Sequence, residues 1–186
     1  MGERIRSFIA VDISARGVVE AVERFQRGLL GTGADLKPVE PYNLHITLIF
    51  LGEQPKRALD EISRRLEGLA HRRFVLELRG VGAFPTPSNP RVVWIDVSRG
   101  RGELTALARD VRALAKDFAR EEEEFTPHLT VARVKGPRNK DKLVAFLEAH
   151  KGDYFGEVEV AEVKLKRSTL TPRGPIYEDL YAKKLA

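Results

Sequence analysis

The chain contains no cysteine. Disulfides, thiolate nucleophiles, iron–sulfur clusters and thiolate zinc sites are therefore excluded. Methionine and tryptophan occur once each. No apolar run approaches the ~20 residues that a membrane-spanning helix needs. The opening MGERIRSFIAVD lacks the apolar core of a signal peptide, so a cytoplasmic protein without a membrane segment is expected. Neither a nucleotide-activating lysine motif nor a phosphate-cradling Gly-rich loop is present, which argues against chemistry driven by ATP. Charge of one sign is also scarce: 32 Lys and Arg against 27 Asp and Glu leave +5 over 186 residues. That excess permits phosphate or nucleic-acid binding without requiring it. The length suits one domain or two small lobes sharing a core. Little Cys and Met beside dense Arg, Lys and Glu suits a heat-adapted protein.

What is present is an order of elements that recurs. Ile5 to Ile13 reads as a strand, with Ser14 as the N-cap of a helix whose apolar stripe is Val18, Val22, Phe25 and Leu29. GLLGTGAD stops that helix. Asn43 to Leu51 is rich in β-branched and apolar residues, hence a strand. Pro55 opens a second helix that buries Leu59, Ile62, Leu66 and Leu69, and Phe74 to Val81 is the next strand. AFPTPSNPR then brings Pro85, Pro87 and Pro90 close together, which excludes regular structure and marks a hinge near residues 84–91. Beyond it the order repeats: a strand over Val92 to Val97, a helical stripe of Leu104, Leu107, Val111, Leu114 and Phe118, and a strand over Pro127 to Val134. A helix marked by Leu143, Val144 and Leu147 follows, then strands over Gly156 to Arg167 and Ile176 to Lys184 around a TPRGP turn.

Two short motifs occupy matching places in this repeat, His45-Ile46-Thr47-Leu48 and His128-Leu129-Thr130-Val131. A strand has a side-chain period of two. His45 and Thr47 therefore share one face, as do His128 and Thr130, while the apolar residues between them face the helices. A duplication brings two such faces together across a groove. Imidazole titrates near ~6.5, so one ring can take a proton while its twin gives one. In-line displacement at phosphorus needs those two roles on opposite sides of the phosphate, with hydroxyl donors for its non-bridging oxygens. No carboxylate or third histidine shares these strands at ligand spacing, so no metal is expected. His71 and His150 lack matching partners and read as structural.

With these motifs in place, the chain resembles the two-histidine phosphoesterase superfamily. Within it, the resemblance is to the RNA 2′,3′-cyclic phosphodiesterase, or LigT-like 2′-5′ RNA ligase, family. It rests on RSFIAVDI, NLHITLIFLGE, AFPTPSNPRVVW, FTPHLTVAR and STLTPRGPIYEDL, and spans nearly the whole chain. It implies a bilobal α+β fold over residues 1–186, with antiparallel sheets flanking a central cleft. It implies hydrolysis of RNA 2′,3′-cyclic phosphate ends, such as those of tRNA fragments, to 2′-phosphates by a monomer without a cofactor. It assigns His45 as proton donor and His128 as proton acceptor, a choice that the symmetry of the motifs leaves open. Thr47 and Thr130 would hold the phosphate.

The same resemblance points to Phe50 for stacking on the terminal base and Arg133 for phosphate, each five residues after its histidine. Strict alternation puts both on the wrong face, so a bulge or strand end is required after each motif. Tyr42, Arg91 and Arg173 are lesser candidates at the cleft rim. Three other functions compete: ATP-independent 2′-5′ ligation of cyclic-phosphate ends, non-catalytic binding of RNA ends, and hydrolysis of small cyclic nucleotides.

Overall fold

The computed structural model describes residues 2–119 and 124–186. Among them are nine strands, four α-helices and a 3₁₀ turn at Pro41–Asn43. The order is β1 (Arg4–Asp12), α1 (Arg16–Gly31), β2 (Leu36–Pro38), β3 (His45–Pro55), α2 (Lys56–Glu67), β4 (Phe74–Thr86) and β5 (Asn89–Val97). There follow α3 (Arg101–Ala115), β6 (Leu129–Val134), α4 (Lys140–Ala149), β7 (Tyr154–Val160), β8 (Glu162–Thr171) and β9 (Gly174–Lys184). The fold is α+β, as expected, with two antiparallel sheets. The first is ordered β3-β1-β8-β9 and the second β2-β6-β5-β4-β7. Both ends of the chain thus build the first sheet, and β2 and β4 from the N-terminal half lie in the second.

The helices form where apolar residues recur three or four apart. Val18, Val22, Phe25 and Leu29 of α1 are buried, and so are Leu59, Ile62 and Leu66 of α2. Each large aliphatic side chain so buried contributes about 1.5–3 kcal/mol. Helix α1 packs on β6 and β7 of the second sheet, whereas α3 packs on β3 of the first. Phe25 of α1 meets Phe146 of α4 at 5.6 Å and Phe155 of β7 at 5.4 Å between ring centroids.

Several expectations are corrected. AFPTPSNPR is no irregular hinge. It closes the β4–β5 hairpin, with Pro85 opposite Pro90 and Thr86 opposite Asn89. The prolines are tolerated because this tip extends past the residues that pair with β6 and β7, so their missing N–H groups break no ladder with a third strand. The stretch read as one strand over Gly156 to Arg167 is two. It leaves the second sheet at Val160 and enters the first at Glu162. Ser14 does not cap α1: Ala15 precedes the helix, and no side chain caps it. Pro55 stands just before α2 rather than within its first turn. The short β2 and the 3₁₀ turn were not expected, being too brief to carry a period.

Gly100, at φ +83°, starts α3, and a Cβ there would lie 2.3 Å from the Val75 carbonyl oxygen. Gly102, inside the first turn, has nothing within 4 Å of its added Cβ. Gly100→Ala should therefore cost upwards of about 1–2 kcal/mol from the left-handed backbone alone, and Gly102→Ala should be neutral or stabilising. Denaturant unfolding of the two variants checks this; equal stabilities would contradict the placement of α3.

Candidate active site

Each motif histidine is fixed by the backbone two residues before it. His45 Nδ1 lies 2.7 Å from the Asn43 carbonyl oxygen, and His128 Nδ1 lies 2.7 Å from that of Thr126. A carbonyl only accepts, so Nδ1 carries hydrogen in both rings and Nε2 is left for chemistry. His45 begins β3 and His128 immediately precedes β6, so the two rings come from different sheets. A charge on His128 is the least of the influences that lower the His45 pKa.

Aromatic side chains pack on both rings, two on His45 and one on His128 among the described residues. Phe8 and Tyr177 pack on His45 at centroid distances of 5.1 and 5.2 Å, and Phe84 meets His128 edge-on at 5.0 Å. Burial drives the His45 pKa below its ordinary value, only partly offset by the hydrogen bond to Asn43. Lys166 pushes the same way and Asp12 opposes it. Those two belong to a quartet on the first sheet. Lys166 Nζ lies 2.9 Å from Asp12 and 3.1 Å from Asp179, and Lys164 Nζ lies 2.9 and 2.8 Å from the same carboxylates. Burial also raises the Tyr177 pKa, against the guanidiniums of Arg133 and Arg6. Its phenol therefore remains an O–H donor at neutral pH.

Phe50 and Arg133 sit where a bulge puts them. In β3, Ile49 pairs with Ile9 but Thr47 pairs with Ala10, so Leu48 is an extra residue. In β6, Ala132 pairs with Val93 but Thr130 pairs with Trp94, so Val131 is extra. The insertion falls directly after the motif threonine both times, and two neighbours are buried in succession: Leu48 with Ile49, Val131 with Ala132. Side-chain parity is reversed beyond each bulge. Phe50 emerges on the His45 face, 53% exposed and 6.2 Å from the Phe8 ring. Arg133 emerges exposed on the His128 face.

Among the described residues, neither Nε2, nor the hydroxyls of Thr47 and Thr130, nor the Arg133 guanidinium makes a hydrogen bond to the protein. The hydroxyls and the guanidinium are unspent donors that suit an anion, and each Nε2 accepts a proton when its ring is neutral and donates when it is protonated. His71 and His150 differ, being paired with Asp110 at 2.5 Å and Asp153 at 2.6 Å. Tyr42 is 82% exposed on the 3₁₀ turn, and Arg91 and Arg173 are exposed in β5 and the β8–β9 turn. No group of three or more His, Asp or Glu is gathered as metal ligands among the described residues. Sequence reasoning missed Phe8, Tyr177 and Phe84 as ring neighbours, although all three stand in stretches that carry the family resemblance.

A family model described as LigT-like phosphoesterase matches residues 11–94 and again residues 95–177. The chain belongs to the LigT-like phosphoesterase family. The LigT-like repeat is thus double, and its second copy starts within β5, beyond the segment expected as a hinge. An RNA 2′,3′-cyclic phosphodiesterase of Archaeoglobus fulgidus is 44% identical over 177 residues, covering 95% of this chain and 98% of the relative. One from Aeropyrum pernix is 43% identical over 171 residues, covering 91% and 97%. A crystal structure of a Thermus thermophilus protein superposes with a TM-score of 0.77 at 30% identity, covering 97% of each chain.

The burial account is open to direct measurement. In the free protein, NMR titration should place the His45 ring below 6.5, its ordinary value. Saturating inorganic phosphate should raise that midpoint, because a neighbouring anion favours imidazolium. A midpoint at or above 6.5 in the free protein would contradict it.

Proposed function

We propose that this LigT-like phosphoesterase hydrolyses RNA 2′,3′-cyclic phosphate ends to 2′-phosphomonoesters. The observation that carries the reading is the pair of unspent Nε2 atoms on two different sheets, each two residues before a threonine whose hydroxyl makes no hydrogen bond among the described residues. The names of the close relatives support the substrate.

The reaction uses the two rings in turn. His128 Nε2 takes a proton from water as the water oxygen bonds to phosphorus. The bond from phosphorus to the 3′-oxygen breaks, and His45 Nε2 gives its proton to that oxygen. The 2′-phosphate and a free 3′-hydroxyl are left. His45 ends neutral and His128 protonated, and proton exchange with solvent resets them. Thr47, Thr130 and Arg133 donate to the non-bridging oxygens, and Phe50 supports the terminal base. Burial favours neutral His45 in the free enzyme, so its proton is secured as the anionic phosphate arrives beside it.

Residues 1–186 act as one bilobal unit, and a monomer suffices because one chain supplies both histidines. Ends of tRNA fragments in the cytoplasm fit this chemistry. Ligation through a 2′-5′ bond would use the same rings with a ribose hydroxyl in place of water, and abundant water disfavours it.

An oligoribonucleotide ending in a 2′,3′-cyclic phosphate should yield the 2′-phosphate. A 3′-phosphate, a joined strand or unchanged substrate would refute the reading. His45→Ala and His128→Ala should each lower kcat by about 10²–10⁴ with the fold intact, and Thr47→Ala and Thr130→Ala should cost less. Retention of more than about a tenth of the rate by either histidine variant would remove that ring from acid–base catalysis.

A further inference from the structure

The two bulges that turn Phe50 and Arg133 into the cleft are each held from outside the strand, and the holders are exchanged between the repeats. Gln26 belongs to α1 in the first repeat and is buried. Its Nε2 donates to the carbonyl oxygen of Val131, the extra residue of the second repeat, at 2.9 Å. The same amide donates to the Val39 carbonyl at 2.9 Å, and Val39 N–H itself reaches Val131 O at 2.9 Å. One side chain thus clips the segment after β2 to the bulge of β6. Arg112 belongs to α3 in the second repeat. Its Nε donates at 3.0 Å to the carbonyl oxygen of Leu48, the extra residue after the motif threonine of the first repeat. Its guanidinium also lies 5.5 Å from the Phe125 ring, just before His128.

A bulge removes its extra residue from the ladder and leaves backbone groups to be satisfied by other partners. At Val131 the carbonyl already accepts from Val39 N–H, so the Gln26 amide is a second donor that ties this bulge to α1, and Arg112 gives the Leu48 carbonyl a donor from α3. Slipping the register by one residue would turn everything beyond it to the opposite face.

We infer that Gln26 and Arg112 are positioning residues that hold these bulges, each repeat's helix fixing the half-site of the other: Gln26 sets Arg133 on the phosphate, and Arg112 sets Phe50 against the base. Neither touches substrate. The inference rests on the proposed hydrolysis for the roles of Arg133 and Phe50, but phosphate binding tests it without turnover.

The experiment measures two quantities: the dissociation constant of inorganic phosphate, and the ratio of kcat/KM for a nucleoside 2′,3′-cyclic phosphate to that for a base-free ribose 2′,3′-cyclic phosphate. Gln26→Met keeps the volume and removes the donor. It should weaken phosphate by about tenfold or more, as loss of a charge-assisted contact does, and leave the base ratio within a factor of two or so. Arg112→Met should do the reverse, and Arg112→Lys should recover most of that loss because it keeps a donor. In an Arg133→Ala background, Gln26→Met should have little further effect on phosphate, since coupled residues are non-additive. Additive losses, equal damage to both quantities by each variant, or no damage would overturn the inference. If Gln26→Met does not fold, the partly exposed Arg112 pair decides it through the base ratio. If the wild type binds phosphate and loses it on Gln26→Met but hydrolyses no cyclic phosphate, the hydrolase reading fails and the positioning role stands.

Discussion

A β-strand offers its side chains only two faces, and this site asks one face to carry residues whose spacing parity forbids it. His45 and Phe50 are an odd number of positions apart, and so are His128 and Arg133. The conflict is resolved by an extra residue directly after each motif threonine, Leu48 and Val131. Without these insertions Phe50 would enter the core and Arg133 would point away from the cleft. The rest of the architecture accommodates them. The helices stack on the apolar face, the first sheet is built from both chain ends, and Gln26 and Arg112 donate to the carbonyls of the bulge residues. Duplication repeats the arrangement about the cleft.

The electrostatics follow from the same placement. Two imidazoles lie among aromatic rings, with Nδ1 committed to a backbone carbonyl and Nε2 kept free. Charge near His45 is almost balanced: two lysines and two aspartates neutralise one another on the sheet that carries it. Desolvation therefore dominates its titration. On the proposed function, an arriving phosphate would be an uncompensated charge beside the ring, and substrate binding would be coupled to protonation. Tyr177 remains a neutral donor for the same reason, held in its hydroxyl form by burial despite two nearby guanidiniums.

Much of this was legible in the residues. The period-two motifs read correctly as strand, the three-or-four spacing of Val18 to Leu29 and Leu59 to Leu66 gave the helices, and the paired motifs gave the duplication. The need for a bulge or strand end after each motif followed from parity once the family resemblance placed Phe50 and Arg133 in the cleft, but its location did not, because register depends on which strand lies opposite. The errors have physical causes. Prolines in AFPTPSNPR suggested irregular chain, yet a hairpin tip has no third strand to satisfy. The run from Tyr154 to Thr171 looks continuous in composition, and only tertiary pairing shows that it changes sheet at Ala161. Gln26 stands on the buried stripe of α1, four residues after Val22 and three before Leu29, but the acceptor it serves is a backbone group far along the chain that no local pattern shows.

The central claim is that the two rings divide proton donation and acceptance across one phosphate, with His45 serving the departing oxygen. A cyclic substrate whose 3′-oxygen is replaced by sulfur tests this most directly, because a thiolate leaves without protonation. The rate of His45→Ala on that substrate should approach that of the wild type, while His128→Ala should remain impaired, since water still needs a base. Rescue of His128→Ala instead would reverse the roles. Rescue of neither would mean that both rings act by binding phosphate, and the acid–base account would fall.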